Sequence, residues 1–131
     1  MAKPSKQKSP AETAVELVIP ETIEIRLEGK DWPIVMSPRV LMIAEKATGL
    51  NLLVDLGTFL LKPTMEFVCG VLYGCLKVAG APYTFDQVCD LVTPKLLPLV
   101  SKGVVMAGLK LSQALIEEME ENPTNGVPTN D

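Results

Sequence analysis

In TIEIRL, apolar and polar side chains alternate: Ile23, Ile25 and Leu27 face one way, and Thr22, Glu24 and Arg26 the other. A period of two marks a half-buried strand. EGKD supplies a turn around Gly29, and WPIVM resumes the alternation with Trp32, Ile34 and Met36 on one face. Pro33 has no N–H to give to a ladder, so this second strand is an edge or turns its proline nitrogen outward. A lone hairpin is marginal in water, so it must lie on an apolar support.

From there the period changes to that of helices. Ser37 suits an N-cap and Pro38 the first helical position, where a missing N–H costs nothing. A helix is expected over 39–48, closed by Gly49 at its C-terminal end. Val40, Leu41, Ile43, Ala44 and Ala47 spread over more than one of its faces, so it is buried on two sides or keeps one side for a partner. LNLLVDLGTFLL predicts a short helix interrupted by Gly57. Pro63 is placed to open the next helix, which reaches Ala79 before the break GAPY. Thr84 and Gln87 in TFDQ have capping-box spacing, heading a short helix through Phe85, Val88, Cys89, Leu91 and Val92. Pro94 then opens a long helix in which Leu97, Val100, Val104, Ala107, Leu111 and Leu115 recur at threes and fours. Its end, EEMEEN, sets acidic side chains against the helix dipole, which predicts fraying.

The chain has 131 residues, room for one domain. Residues 1–20 read as a disordered arm, 21–121 as a single globular domain and 122–131 as a flexible tail. Lys3, Lys6 and Lys8 imitate the start of a leader peptide, but Glu12 and Glu16 interrupt the apolar stretch a leader requires. The domain is mostly α (α+β): an N-terminal two-stranded β-hairpin followed by a compact bundle of about four to five helices. Aromatics make up only 5% of the chain, so the core is aliphatic.

Composition narrows the chemistry. The net charge of −4 argues against a nucleic-acid partner, which needs a basic surface. Histidine is absent, which removes the commonest general base and the commonest metal ligand. Cys69, Cys75 and Cys89 lack CxxC spacing and read as small buried hydrophobes. Cys69 and Cys75 lie roughly 240° apart around a helix and do not converge on one ion. No phosphate loop, nucleophile elbow or HExxH is present, so neither an enzyme activity nor a cofactor is expected. Glu45 beside Lys46 reads as a solvated helix face.

FVCGVLYGCL contains Gly70-x-x-x-Gly74 between Glu66 and Lys77. The run is too short for a membrane span of about 20 residues, and predicts a buried central helix whose glycines admit a neighbour's backbone. Gly103 and Gly108 in the last helix are expected to pack against that glycine face. The remaining apolar positions exceed what a small core absorbs, and such excess marks a partner surface. Val35, Leu41, Met42 and LNLLVDL are candidates. Val40, Leu41, Ala44, Leu52 and Leu53 are expected to form part of a client or self-association surface.

One resemblance gives that surface a purpose. Leu27, Gly29, Lys30, Trp32 and Ile34 in the hairpin, followed by Glu45, Thr48, Gly49 and Leu50 in IAEKATGLNLL, resemble the tail assembly chaperones of long-tailed phages and gene-transfer-agent particles. The central apolar helix, the TFDQV helix start and the long last helix fit the same pattern, over residues 21–120. Pro33 in the second strand and MSPRV at the helix entry depart from it. The resemblance implies a non-catalytic protein of the host cytoplasm, absent from the mature virion. Such a protein binds the tape measure protein, keeps it soluble and promotes assembly of tail tube protein around it. It leaves self-association open and implies neither a nucleic-acid nor a membrane partner. A structural tail component and a small host adaptor domain are the alternative readings.

Overall fold

The computed structural model describes residues 19–121, the last three by backbone alone. Most of the expected arm, 1–18, and the expected tail, 122–131, lie outside the described residues. Within them the chain forms β1 (Glu24–Leu27), β2 (Lys30–Pro33), α1 (Pro38–Thr48), α2 (Leu52–Leu61), α3 (Met65–Val78), α4 (Phe85–Leu91) and α5 (Leu97–Glu121). This is the α+β arrangement expected, a hairpin followed by five helices.

The hairpin is tight because its turn is two residues, Glu28 at φ 50° and Gly29 at φ 81°. Positive φ at both positions matches the twist of the flanking strands. Ile25 pairs with Trp32 and Glu24 with Pro33, and the Ile34 amide donates to the Ile23 carbonyl at 2.7 Å. Antiparallel pairs alternate between bonded and non-bonded. The Glu24–Pro33 pair is therefore a non-bonded one, and the proline nitrogen faces away from the partner strand. Ile25, Leu27, Trp32, Ile34 and Met36 are all buried, so one face of the hairpin and its extension seals the core. Tyr83, from the loop before α4, donates to Glu28 Oε1 at 2.6 Å and ties the turn to the helices.

Local chemistry explains most helix ends. The Val40 amide donates to Ser37 Oγ, and Gly49 closes α1 in the left-handed conformation. Thr84 and Gln87 complete the reciprocal capping box of α4. Two prolines behave differently from expectation. Pro63 lies in the 117° bend between α2 and α3, and Thr64 caps α3 by accepting from the Phe67 amide. Pro94 precedes regular α5: the Thr93 carbonyl accepts from both Leu96 and Leu97 amides, so the proline sits in a lead-in turn where no N–H is needed.

α3 is the centre of the domain. Phe67 to Leu72 and Gly74 to Leu76 are buried, and α1, α4, α5 and β2 all contact it. The expected partner of its glycines requires correction. A Cβ on Gly74 would stand 2.7 Å from the Val40 carbonyl oxygen, and one on Gly70 would stand 2.6 Å from Thr48 Cγ2. Gly70 and Gly74 thus form a groove that admits α1 along Val40, Ala44 and Thr48, and α5 is not their partner. Gly103 instead lies beneath Ile34 and Ile23, and Gly108 beneath the end of the Leu60 side chain. The physical reason is order along the chain. α1 and α3 are joined by the short α2, which folds them back to back, while α5 is left to close the core under the hairpin through Val100, Val104 and Ala107.

Candidate interaction surface

α2 positions the most exposed apolar face of the domain. Its ten residues carry one charge, Asp55, so by composition it should be buried all round. Only one side is. Leu52 is buried, Leu56, Phe59 and Leu60 pack on the core, and Phe59 stacks on Phe67 at 5.1 Å between ring centroids. On the other side Leu53, Val54 and Leu61 are 82%, 71% and 85% exposed. Gly57 lies between them with nothing within 4 Å of where its Cβ would be. Met65, just past the bend, is also exposed.

A helix this apolar and this open needs a fixed start, and Glu45 provides it. Asn51 makes no side-chain cap. Instead Glu45 Oε2 accepts from the amides of Leu52 at 2.9 Å and Leu53 at 3.1 Å. The carboxylate meets two otherwise unpaired donors and the positive end of the helix dipole. Sequence reasoning reads Glu45 as a solvated face because its acceptor role spans a helix break; the signal available was the poor cap offered by the residues before Leu52. Glu45→Gln is expected to cost about 1–2 kcal/mol. Hydrogen exchange at the Leu52 and Leu53 amides should accelerate first.

The structure divides the expected surface residues. Val40, Ala44 and Leu52 are at most 1% exposed and belong to the core, so they offer nothing to a partner in this fold. Leu41 is half-buried against the core, and Leu53 alone among the five projects fully outward. The cause is the glycine groove, which turns the Val40–Ala44 face of α1 inward. Val35 and Met42 are exposed, as are Val54 and Leu61 from the α2 stretch.

Among the described residues, two concavities stand out. A groove of about 230 Å³ between the hairpin edge and α5 is lined by Ile23, Ile34, Met36, Ala107 and Leu111. Lys110 crosses its end and donates to the Glu21 carbonyl. A wider open cleft of about 790 Å³ lies on the outer side of α1, lined by Arg39, Met42, Ile43, Glu45, Lys46 and Lys77.

Chemistry is sparse. Among the described residues no group of three or more His, Cys, Asp and Glu is placed to hold a metal ion. All three cysteines are free thiols. Burial, and then the neighbouring Cys89, push the Cys69 thiol up to about 11. Burial likewise pushes Cys75 from 9.0 to about 11, and its Sγ donates to the Val35 carbonyl at 3.3 Å. Raised thiol pKa values make these poor nucleophiles at neutral pH. They also set an alkaline limit on the fold. Above pH 9 the unfolded chain releases protons that the folded chain still holds, so stability falls as pH rises from 9 through 11. Cys75 alone accounts for about 3 kcal/mol of that fall. Cys75→Ala should flatten the decline, read as urea midpoints across that range.

α5 is, among the described residues, the one helix long and apolar enough to cross a membrane: Leu97–Glu118, with 28% of its most apolar window buried. Its buried side, Val100, Val104 and Ala107, completes the core under the hairpin. Comparison with protein-family models, with curated proteins and with solved structures found no match for this chain.

Proposed function

We propose that this protein is a non-catalytic tail assembly chaperone whose client is the tape measure protein, a long helix-rich chain. The observation that carries the reading is the open aliphatic face of α2, Leu53, Val54 and Leu61, held in place by Phe59 and Leu60 on its other side. A preordered apolar helix face is what an amphipathic client helix needs in order to bury its own stripe. Because the face is fixed by the core, little ordering cost is added on binding. The net charge of −4 keeps a complex with exposed apolar surface soluble. The resemblance of the hairpin and the IAEKATGLNLL segment to that family supplies the identity of the client, and with it the tail tube protein as a second partner, action in the host cytoplasm and absence from the finished virion.

Co-expression tests this. The proposed client, a tape measure protein, should partition to the soluble fraction when this chain is present and to the pellet when it is not. Equal partitioning in both would sink the proposal. Abundant copies of this chain in purified tails, read by mass spectrometry, would favour a structural tail component instead.

A further inference from the structure

The chain reverses over 79–84, and α4 packs back on α3. Two aromatic residues fix the register of this helical hairpin. Tyr73 of α3 meets Phe85 of α4 edge to face, with 5.7 Å between ring centroids. Residues four apart share one face of a helix. One turn back from Tyr73 along α3 is Cys69, and one turn forward from Phe85 along α4 is Cys89. Because the helices run in opposite senses, the two steps lead the same way and set the thiols opposite each other. The Cys69 and Cys89 thiols share a hydrogen bond.

The members of the pair differ in access. Cys69 is 3% exposed, whereas Cys89 is half-buried and open in part to solvent. Both are free thiols. Cys75 lies on another side of α3, where its Sγ donates to the Val35 carbonyl. An accessible thiol beside a second, sheltered one is the arrangement in which the first is oxidised and the second resolves it.

We propose that Cys69 and Cys89 are a reversible oxidation site, at which a hydroperoxide converts the two thiols into a disulfide joining α3 to α4. Cys89 Sγ, as the thiolate, attacks one oxygen of hydrogen peroxide. The O–O bond breaks, Cys89 becomes a sulfenic acid, and hydroxide leaves to take up the proton Cys89 gave away. Cys69 Sγ then attacks the Cys89 sulfur. The S–O bond breaks as the S–S bond forms, and the departing hydroxide carries off the Cys69 proton as water. Two thiols and one peroxide thus give one disulfide and two waters. The bond ties α4 to the central helix, and with it the loop whose Tyr83 holds the hairpin turn. In a reducing compartment such a bond lasts only while oxidant is present, so it records oxidation and does not build the fold. The proposal concerns α3 and α4 alone and stands whether or not the client is a tape measure protein.

Stoichiometric hydrogen peroxide on the full chain tests it, followed by unfolding, alkylation of the remaining thiols and peptide mass spectrometry without reductant. Cys75 alone should be alkylated, and the peptides carrying Cys69 and Cys89 should stay joined until dithiothreitol is added. Closing the 69–89 loop constrains the unfolded chain, so the oxidised protein should melt about 10 °C higher and fall back on reduction. Cys89→Ala, at a half-buried position, should fold as wild type and lose both responses. Cys69→Ala should form no link and leave Cys89 as a sulfenic acid that dimedone traps, a readout independent of any change in Tm. Alkylation of Cys69 and Cys89 in peroxide-treated wild type would overturn the proposal. So would a link through Cys75, a link between two chains, or a Cys69–Cys89 link that leaves Tm at or below its reduced value.

Discussion

Gly74→Leu is expected to lower stability by at least about 3 kcal/mol. For a domain of this size that is a fall of more than about 12 °C in Tm. The reason is contact with backbone. Even a single Cβ at this position would sit 2.7 Å from the Val40 carbonyl oxygen and 3.0 Å from Val40 Cγ1, and a carbonyl in mid-helix cannot swing aside. Gly74→Ala should also destabilise, although alanine favours a helix by about 1 kcal/mol over glycine. Gly57 provides the opposite case. It lies in α2 with no atom within 4 Å of its Cβ position, so Gly57→Ala should raise stability by about 1 kcal/mol. Urea denaturation of the two alanine variants gives the check. Stabilisation by Gly74→Ala, as at Gly57, would mean that α1 does not lie in the Gly70–Gly74 groove.

The second large effect is on binding. Leu53→Glu/Leu61→Glu replaces two side chains that are more than four-fifths exposed, so the free protein should keep its stability to within about 1 kcal/mol. Each leucine buried against a client contributes about 1.5 kcal/mol or more. Loss of both therefore predicts client affinity reduced about 100-fold. The separation between an intact fold and a lost partner distinguishes a surface from a core.

The contrast between Leu52 and Leu53 shows where sequence reading stops. Both belong to LNLLVDL, both are leucine, and the one is buried while the other is 82% exposed. The direction of α2 depends on Glu45 reaching over a helix break and on Leu60 meeting Gly108, contacts too distant in sequence for periodicity to report. Features decided by neighbouring residues were legible: the hairpin turn around Gly29, the Ser37 and Thr84 caps, and Gly49 closing α1. The need of Gly70 and Gly74 for a close neighbour was legible too. Which helix filled the need was not, because α1 and α5 both offer small residues. Val40 and Ala44 were accordingly assigned to a surface when they are the ridge that fills the groove. Pro63 illustrates a local signal with two solutions, since proline fits a first helical turn and a bend equally well. The following Thr64 hydroxyl decides between them.

The outer face of α2 is the proposed client site. Calorimetric titration with a helical fragment of the proposed client, a tape measure protein, tests it most directly, using wild type and Leu53→Glu/Leu61→Glu side by side. Wild type should bind with a negative heat-capacity change, the sign of apolar burial, and the variant, melting at the wild-type temperature, should bind about 100-fold more weakly. Equal affinity for the two proteins would contradict the account.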